Sequence, residues 1–332
     1  MKPALRIPAE WERHEACWLA YPYLAEEWAG RLEQAQACVV ELCRAIAGPG
    51  GEPVRLLVKD ERVERAARAK IGDGLEIEYV RADYGDCWVR DTIPLFGHSE
   101  DGAVGVLRFE FNGWGRKFEI PFDAEIGRWI AMKVGAQDHF CPVTLEGGAL
   151  EFDGQGTFLT TASCVLNTNR NPGLTREAFE TALRTHVSVE RLIWLERGLS
   201  QDHTDGHVDM IARFIGKDSV LCMTPRPGAP DAGVLEAVAQ ALADSGLELI
   251  EVPAPPVVHG PDGTPLPATY CNFYLANDAV IVPTYGVPED EQALAVLGEA
   301  FGGRVAIGLP AIDLLCGGGA FHCATQPQPA LP

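Results

Sequence analysis

Apolar residues recur at helical spacing from Glu26 to Ala47. Trp28, Leu32, Ala35, Val39, Leu42 and Ile46 fall on one stripe, which predicts a helix over 26–47. Gly48-Pro49-Gly50-Gly51 ends it, because glycine and proline both interrupt helical backbone. The apolar run 54–58 then reads as a short buried strand. Helix followed by strand returns along the chain: 61–71 before 75–80, 124–134 before a strand near 140–143, 175–186 before 191–195, 231–245 before 247–252, and 289–301 before 304–307. Thr175 is placed to cap its helix. Further strands are expected at 104–111, 157–161, 208–214, 219–223, 270–275 and 279–282.

Mixed units of this kind argue for α/β repetition rather than a helix bundle or a β-sandwich. The repetition lies in the order of elements, without clean self-similarity of sequence. The Pro- and Gly-rich stretch 253–267 reads as a loop rather than a linker, so 1–332 is expected to form a single domain.

Chemically suggestive residues gather just beyond strand ends. Asp86 and Asp91 follow strand 75–80, Glu146 follows 140–143, His203, His207 and Asp209 follow 191–195, and Cys323 follows 304–307. In α/β folds sites assemble at that edge, so one pocket built from several units is expected. In Gly317-Gly318-Gly319-Ala320-Phe321-His322-Cys323, three glycines let backbone bend and approach a ligand before a cysteine. A thiol becomes a good nucleophile beside a base, and His207 is the candidate. On an extended segment His207 and Asp209 would face the same side. Carboxylates, a His, a Cys and the rings of Trp88 and Trp114 together suit a planar, cationic, electrophilic group such as a guanidinium. The alternative is a metal ion shared by His203 and His207 with Asp209, four apart on a helix. Asp205-Gly206 argues against a helix there, so no metal is expected.

Composition narrows the classes. The net charge of −20 argues against nucleic-acid backbones, and favours a cationic small molecule if it acts at all. Mean hydropathy is −0.01, and no apolar run nears the ~18–20 residues of a membrane helix. The start, Met1 to Glu10, shows no signal-peptide pattern. Ten scattered cysteines without a Cys-x-x-Cys pair suggest reduced, mostly packing residues and a cytoplasmic protein. The assembly stays open, with a homodimer or higher homo-oligomer among the allowed states.

An ordered set of segments carries a resemblance along nearly the whole chain. They are Pro8-Ala9-Glu10-Trp11-Glu12, His14-Glu15-Ala16-Cys17-Trp18, Trp88-Val89-Arg90-Asp91-Thr92, Phe111-Asn112-Gly113-Trp114-Gly115, Glu146-Gly147-Gly148, Asn169-Arg170-Asn171-Pro172, Thr204 to Asp209, Asn272-Phe273-Tyr274, Val282-Pro283, and Gly317-Gly318-Gly319 with His322 to Gln326. The chain resembles the agmatine deiminase and bacterial-type peptidyl-arginine deiminase family of guanidino-modifying enzymes. The resemblance implies a five-bladed, pseudo-fivefold α/β propeller of the pentein type.

It also implies roles. Cys323 matches the nucleophile, His207 the general acid/base, Asp91 and Asp209 the carboxylates gripping the guanidinium, and Glu146 the acid supporting the His or the substrate. Asp86, Trp88, Trp114 and Gly318 are candidate substrate contacts. The implied reaction deiminates agmatine through a covalent amidino-cysteine, with no cofactor. Another guanidino compound (arginine, a methylarginine or peptidyl-arginine) is the alternative substrate, and a non-enzymatic metal- or ligand-binding protein the third reading. The chain departs from the family pattern at Ile93, Cys316 and Ala320-Phe321, and is abbreviated between Val252 and Thr269. None of these touches the reacting groups, and all are expected to bear on the part of the pocket that reads the substrate's tail.

Overall fold

The computed structural model describes residues 4–331; Met1, Lys2 and Pro3, part of the start that shows no signal-peptide pattern, lie outside them. Local signals set several elements where the pattern puts them. The helix Glu61–Ile71 starts at Asp60, whose side chain accepts from Val63 N, and ends at Gly72 with φ 86°. Thr175 caps Arg176–Arg184 by accepting from Ala178 N at 3.2 Å.

The helix expected over 26–47 is split. Ala25–Trp28 forms a separate 3₁₀ turn and the α-helix runs Leu32–Ala47. Ala29 and Gly30 between them take φ of 45° and 83°, a left-handed step that no helix continues through. The break frees the indole of Trp28 to donate to Asp86 Oδ1 at 3.2 Å.

Five sheets share one pairing pattern, an antiparallel pair followed by a parallel one. Leu95–His98, Val104–Glu110 and Gln137–Thr144 form one, with helix Asp123–Lys133 as the parallel crossover. Leu150–Phe152, Thr157–Thr161 and Arg191–Leu195 form the next. Ala212–Gly216, Ser219–Thr224 and Glu248–Pro253 follow, then Tyr274–Leu275, Ala279–Thr284 and Val305–Pro310. The remaining sheet joins both ends of the chain: Gln326–Pro329 pairs antiparallel with His14–Ala20, which runs parallel to Val54–Val58, itself parallel to Ile77–Arg81. The fold is mixed α/β. The helices cover the sheets through buried apolar faces such as Ala35, Val39, Leu42 and Ile46, each large side chain contributing about 1.5–3 kcal/mol on burial.

Three expectations are corrected. The stretch 208–214 is not one strand: Val208–Met210 is a 3₁₀ turn and Ala212–Gly216 the strand. Of 270–275 only Tyr274–Leu275 is strand. The loop 253–267 contains a small hairpin, Val258–His259 with Pro265–Leu266. Among the described residues, no helix is long and apolar enough to cross a membrane.

The last strand of each of the five larger sheets is followed by a loop that reaches the same region. Asp91 comes after Ile77–Arg81, Glu146 after Gln137–Thr144, His207 and Asp209 after Arg191–Leu195, Asn272 after Glu248–Pro253, and Cys323 after Val305–Pro310.

Thr175→Ala removes a cap at a helix start remote from that region. Urea denaturation is expected to show a loss of about 1 kcal/mol; an unchanged midpoint would show that the cap contributes nothing.

Candidate active site

Cys323 sits at the end of the triple-glycine loop and is nearly buried, at 6% exposure. The glycines are needed there for space. A Cβ on Gly317 would lie 2.7 Å from the Trp28 ring, and one on Gly319 would lie 3.0 Å from Cys323 Sγ. Gly318 has φ 114°, open to glycine alone, and lines the opening above the thiol. Asn272 fixes the loop: its Oδ1 accepts from Ala320 N and Cys323 N at 3.1 and 3.3 Å, and its Nδ2 lies 3.2 Å from both Cys323 Sγ and Asp209 Oδ2. Asn272 stood in a resembling segment but carried no role in the sequence reading, because its five contacts span elements far apart in the chain.

Asp91, His207 and Asp209 converge on a point. The place where a Cβ on Gly148 would stand is 2.8 Å from His207 Nδ1 and 3.0 Å from both Asp209 Oδ2 and Asp91 Oδ1. Only glycine leaves that point free. His207 and Asp209 meet there through the 3₁₀ turn, not through the alternation of a strand. Gly148 N donates to Asp91 Oδ1 and Trp114 Nε1 to Asp91 Oδ2, at 2.9 and 2.8 Å. Trp114 takes φ 53°, a strained conformation for a bulky residue, and thereby presents its indole to Asp91. Glu146 Oε2 is 3.1 Å from His207 Nε2, so Nδ1 faces the convergence point. Neither His207 Nδ1 nor Asp209 Oδ1 has a hydrogen-bond partner among the described residues.

Buried ion ladders stand behind two of these groups. Arg170 Nε lies 2.9 Å from both oxygens of Glu146. Asp209 Oδ2 meets His322 Nδ1 at 2.7 Å, and His322 Nε2 meets Glu10 Oε2 at 3.0 Å. Glu10 is in turn paired with Arg213 and Arg90. Arg90 is therefore the partner of Glu10, a carboxylate outside the sequence-read site, rather than of Asp91. His322 and Glu10 were quoted as motif residues without a role, since nothing local signals a pairing across 312 positions.

The charges shift accordingly. Burial pushes the Asp91 carboxyl up, opposed by His207 and aided by Asp209 and Glu146. Burial also opposes charge on His207, but Asp91, then Cys164 and Glu146, outweigh it and hold its proton well above the usual imidazole range. Burial, then Asp209 and Asp91, pushes the Cys323 thiol well above its ordinary value. The free protein thus presents a neutral thiol and a protonated imidazole beside carboxylates.

The opening above Cys323 is a solvent-connected cleft with about 60 Å³ of cavity volume. Trp88, Trp114, Phe118 and Ile120 form its apolar wall, and Glu27, Asp86 and Asp91 its acidic groups. No lysine or arginine is among the lining residues. Lys117 turns away to His203 O and Asp205 Oδ1, at 2.7 and 2.6 Å, and Arg116 lines a different cleft. Asp86 is pushed up to about 6 by burial. Asp123 behind it, donated to by Gly85 N, is pushed up to about 8 by burial and then by Asp86. Cys316, Ala320 and Phe321 are not among the lining residues, the last two being fully buried. The departures there do not face the opening, but Cys316 and Ala320 directly flank Gly317 to Gly319, which line it.

The metal alternative does not assemble as read. His203 lies on the wall of the opening, while His207 faces Glu146. The potential metal ligands brought together among the described residues are Glu146, Cys164 and His207. Arg170 already donates to both Glu146 oxygens, so a cation is present at that carboxylate.

A raised thiol has a direct reading. Alkylation of Cys323 by iodoacetamide, followed by peptide mass, is expected to keep accelerating through the ordinary thiol value of about 8.5. A plateau at or below that pH would show an activated thiolate in the free protein instead.

The family model of Porphyromonas-type peptidyl-arginine deiminases matches residues 6–329. The agmatine deiminase of Stutzerimonas stutzeri is 35% identical, over 98% of this chain and 95% of its own. The solved structure of agmatine deiminase from Enterococcus faecalis superposes with a TM-score of 0.91 at 28% identity, covering 99% of this chain and 97% of that one. DDAH from Pseudomonas aeruginosa, at 14% identity, shares the fold with a TM-score of 0.56 over 95% of this chain and 99% of that one. The chain belongs to the Porphyromonas-type peptidyl-arginine deiminase family.

Proposed function

We propose that this protein is an agmatine deiminase, converting agmatine and water to N-carbamoylputrescine and ammonia. One observation carries the choice of substrate: the opening above Cys323 is lined by Glu27, Asp86 and Asp91 with no lysine or arginine. Agmatine is a dication. Arginine and arginyl peptides add a carboxylate or a peptide group at the far end, and a carboxylate calls for an Arg or Lys partner. The deiminase relatives and the acidic wall support the same reading. With it goes a single catalytic domain working in the cytoplasm.

The guanidinium enters between Asp91 and Asp209, with its carbon over Cys323. Its positive charge offsets the two carboxylates that hold the thiol protonated, and the thiol proton leaves to solvent. Sγ attacks the guanidinium carbon, forming the S–C bond. His207 Nδ1 gives its proton to one amino group, and the C–N bond breaks to release ammonia. The product is an amidino-cysteine. Water then attacks the same carbon while His207 takes back one of its protons. The C–S bond breaks, returning the thiolate, which takes a proton back from solvent as the product leaves; the second proton of water passes to solvent, where the released ammonia becomes ammonium. Glu146 keeps His207 in the orientation that aims Nδ1 at the carbon. Every proton and electron pair is accounted for without a metal or organic cofactor. Trp88 and Trp114 flank the methylene chain, Gly318 leaves room for it, and Asp86 with Glu27 meets the terminal ammonium.

Ureido-product assays with agmatine, arginine, methylarginine and an arginyl peptide in parallel test the substrate. Agmatine is expected to have the highest kcat/KM; a higher value for arginine or the peptide would refute the substrate while leaving the deiminase. No turnover of any of them would refute both.

Asp86 supplies a pH signature. Below about 6 it takes a proton and loses the charge that meets the ammonium, so kcat/KM for agmatine is expected to fall as pH drops through that value. Asp86→Asn should lose about tenfold or more at neutral pH and lack that limb. An unchanged limb in the variant would remove Asp86 from tail recognition.

Gly148→Ala places a methyl at the convergence point. Activity is expected to fall by at least about 100-fold in a folded protein. Near-wild-type turnover would show that the guanidinium sits elsewhere.

A further inference from the structure

Asn169-Arg170-Asn171-Pro172 contributes no reacting group, yet all three polar members of the run reach toward the site. Asn171 pins the strand Gln137–Thr144 at its end: Oδ1 accepts from Thr144 N at 3.0 Å, and Nδ2 donates to Thr144 O and Val165 O at 2.8 and 2.9 Å. Glu146 lies two residues further on. Asn169 Nδ2 donates to Asp205 Oδ2 at 2.9 Å. Arg170 lies between, with its side chain fully buried.

The arginine spans two carboxylates. Its Nε lies 2.9 Å from both oxygens of Glu146, its Nη1 donates to Asp205 Oδ2 at 2.5 Å, and its Nη2 donates to Thr204 O at 2.9 Å. Asp205 also accepts from Lys117, on the loop that carries Trp114 and Phe118 to the opening. A continuous chain of contacts therefore runs from the mouth of the pocket through Lys117, Asp205, Arg170 and Glu146 to His207.

We infer that Arg170 is a positioning residue for the deimination proposed above, on which this inference rests: it clamps Glu146 so that Oε2 stays on His207 Nε2 and Nδ1 stays aimed at the reacting carbon. Glu146 is fully buried, out of reach of water. The groups that face it are His207, Arg170 and Cys164, whose Sγ is 3.8 Å from Oε2, with Asp91 on the far side of His207. Arg170 is the permanent cation in that set. Without it, a buried carboxylate either takes a proton or swings away, and both outcomes release His207. A lysine would restore the charge but not the planar fork that serves Glu146 and Asp205 together. Burial pushes the Glu146 carboxyl up, and His207 with Arg170 bring it below its usual range. Loss of Arg170 lets the Glu146–His207 pair accept a second proton at higher pH.

The test uses the full chain and agmatine. The kcat and KM of wild type, Arg170→Lys, Arg170→Met and Asp205→Asn are measured across pH, with thermal midpoints alongside. In Arg170→Lys, kcat is expected to fall about 10- to 100-fold while KM stays within a few-fold, because Asp91 and Asp209 still hold the guanidinium. In Arg170→Met, which removes the cation altogether, kcat is expected to fall further and its acid limb to move to higher pH. Combining Arg170→Lys with Glu146→Gln should cost no more than Glu146→Gln alone. A purely structural arginine would lower the thermal midpoint and leave the limb unmoved, which would overturn the inference, as would additive losses in the double variant. Should neither Arg170 variant fold, Asp205→Asn decides through the split of kcat from KM: a lower kcat at unchanged KM supports the clamp, and an unchanged kcat overturns it. A wild type inactive on every guanidino compound would refute the function itself, whereas an active wild type with an Arg170-independent limb refutes only the clamp.

Discussion

An excess of negative charge at one buried point is the constraint on which the site depends. Asp91, Glu146 and Asp209 are all withdrawn from solvent, and a buried carboxylate needs a matching cation or strong donors. Glu146 has Arg170 and Asp209 has His322. Among the described residues Asp91 accepts from two neutral donors, Gly148 N and Trp114 Nε1, and the imidazolium beside it, His207 at 3.9 Å, is shared with Glu146. Burial pushes its carboxyl up against the pull of His207, and burial, then Asp209 and Asp91, pushes up the thiol of Cys323. In the proposed mechanism the bound guanidinium is the missing counter-ion, and its arrival allows the sulfur to ionise. Binding and activation of the nucleophile are then one electrostatic event, confined to ligands that carry the right charge in the right plane.

The fold makes that concentration of charge tolerable. Five loops, each following a different three- or four-stranded sheet, share the polar groups of the site, so the charge is not carried by one segment alone. Two of the supporting cations come from other segments, Arg170 from the loop before Arg176–Arg184 and Arg213 from the strand Ala212–Gly216, while Arg90 shares the turn that carries Asp91. Glycines do the complementary work. Gly148 and Gly319 keep side-chain atoms out of the space over His207 and Cys323, where even a Cβ would collide.

Much of this was readable from residue order where the signal is local. Asp60 and Gly72 delimit a helix that the apolar spacing already predicts, and strands such as Val54–Val58 are short apolar runs between breakers. Elements whose identity depends on distant partners were not readable. His14–Ala20 is buried on both faces between Val54–Val58 and Gln326–Pro329, so it shows no alternation, and its partner strand contains prolines that argue against a strand. The split at Ala29-Gly30 looks like an uninterrupted helical stripe, because Trp28 keeps the apolar spacing while turning to Asp86. The geometry brings the five candidate reacting groups together as the motifs suggested. The residues that support them, Glu10, Arg170, Arg213, Asn272 and His322, could be found only through contacts across the chain, since a buried ion ladder leaves no periodic trace in sequence.

The account turns on a covalent bond between Cys323 and the guanidinium carbon. Acid-quenching the protein during turnover of agmatine, followed by digestion and mass analysis, reads that bond directly. The account predicts the mass of one amidino group on the peptide containing Cys323, appearing before product and vanishing when substrate is exhausted. Steady formation of ureido product with Cys323 unmodified at every quench time, or an adduct on another cysteine, would contradict it.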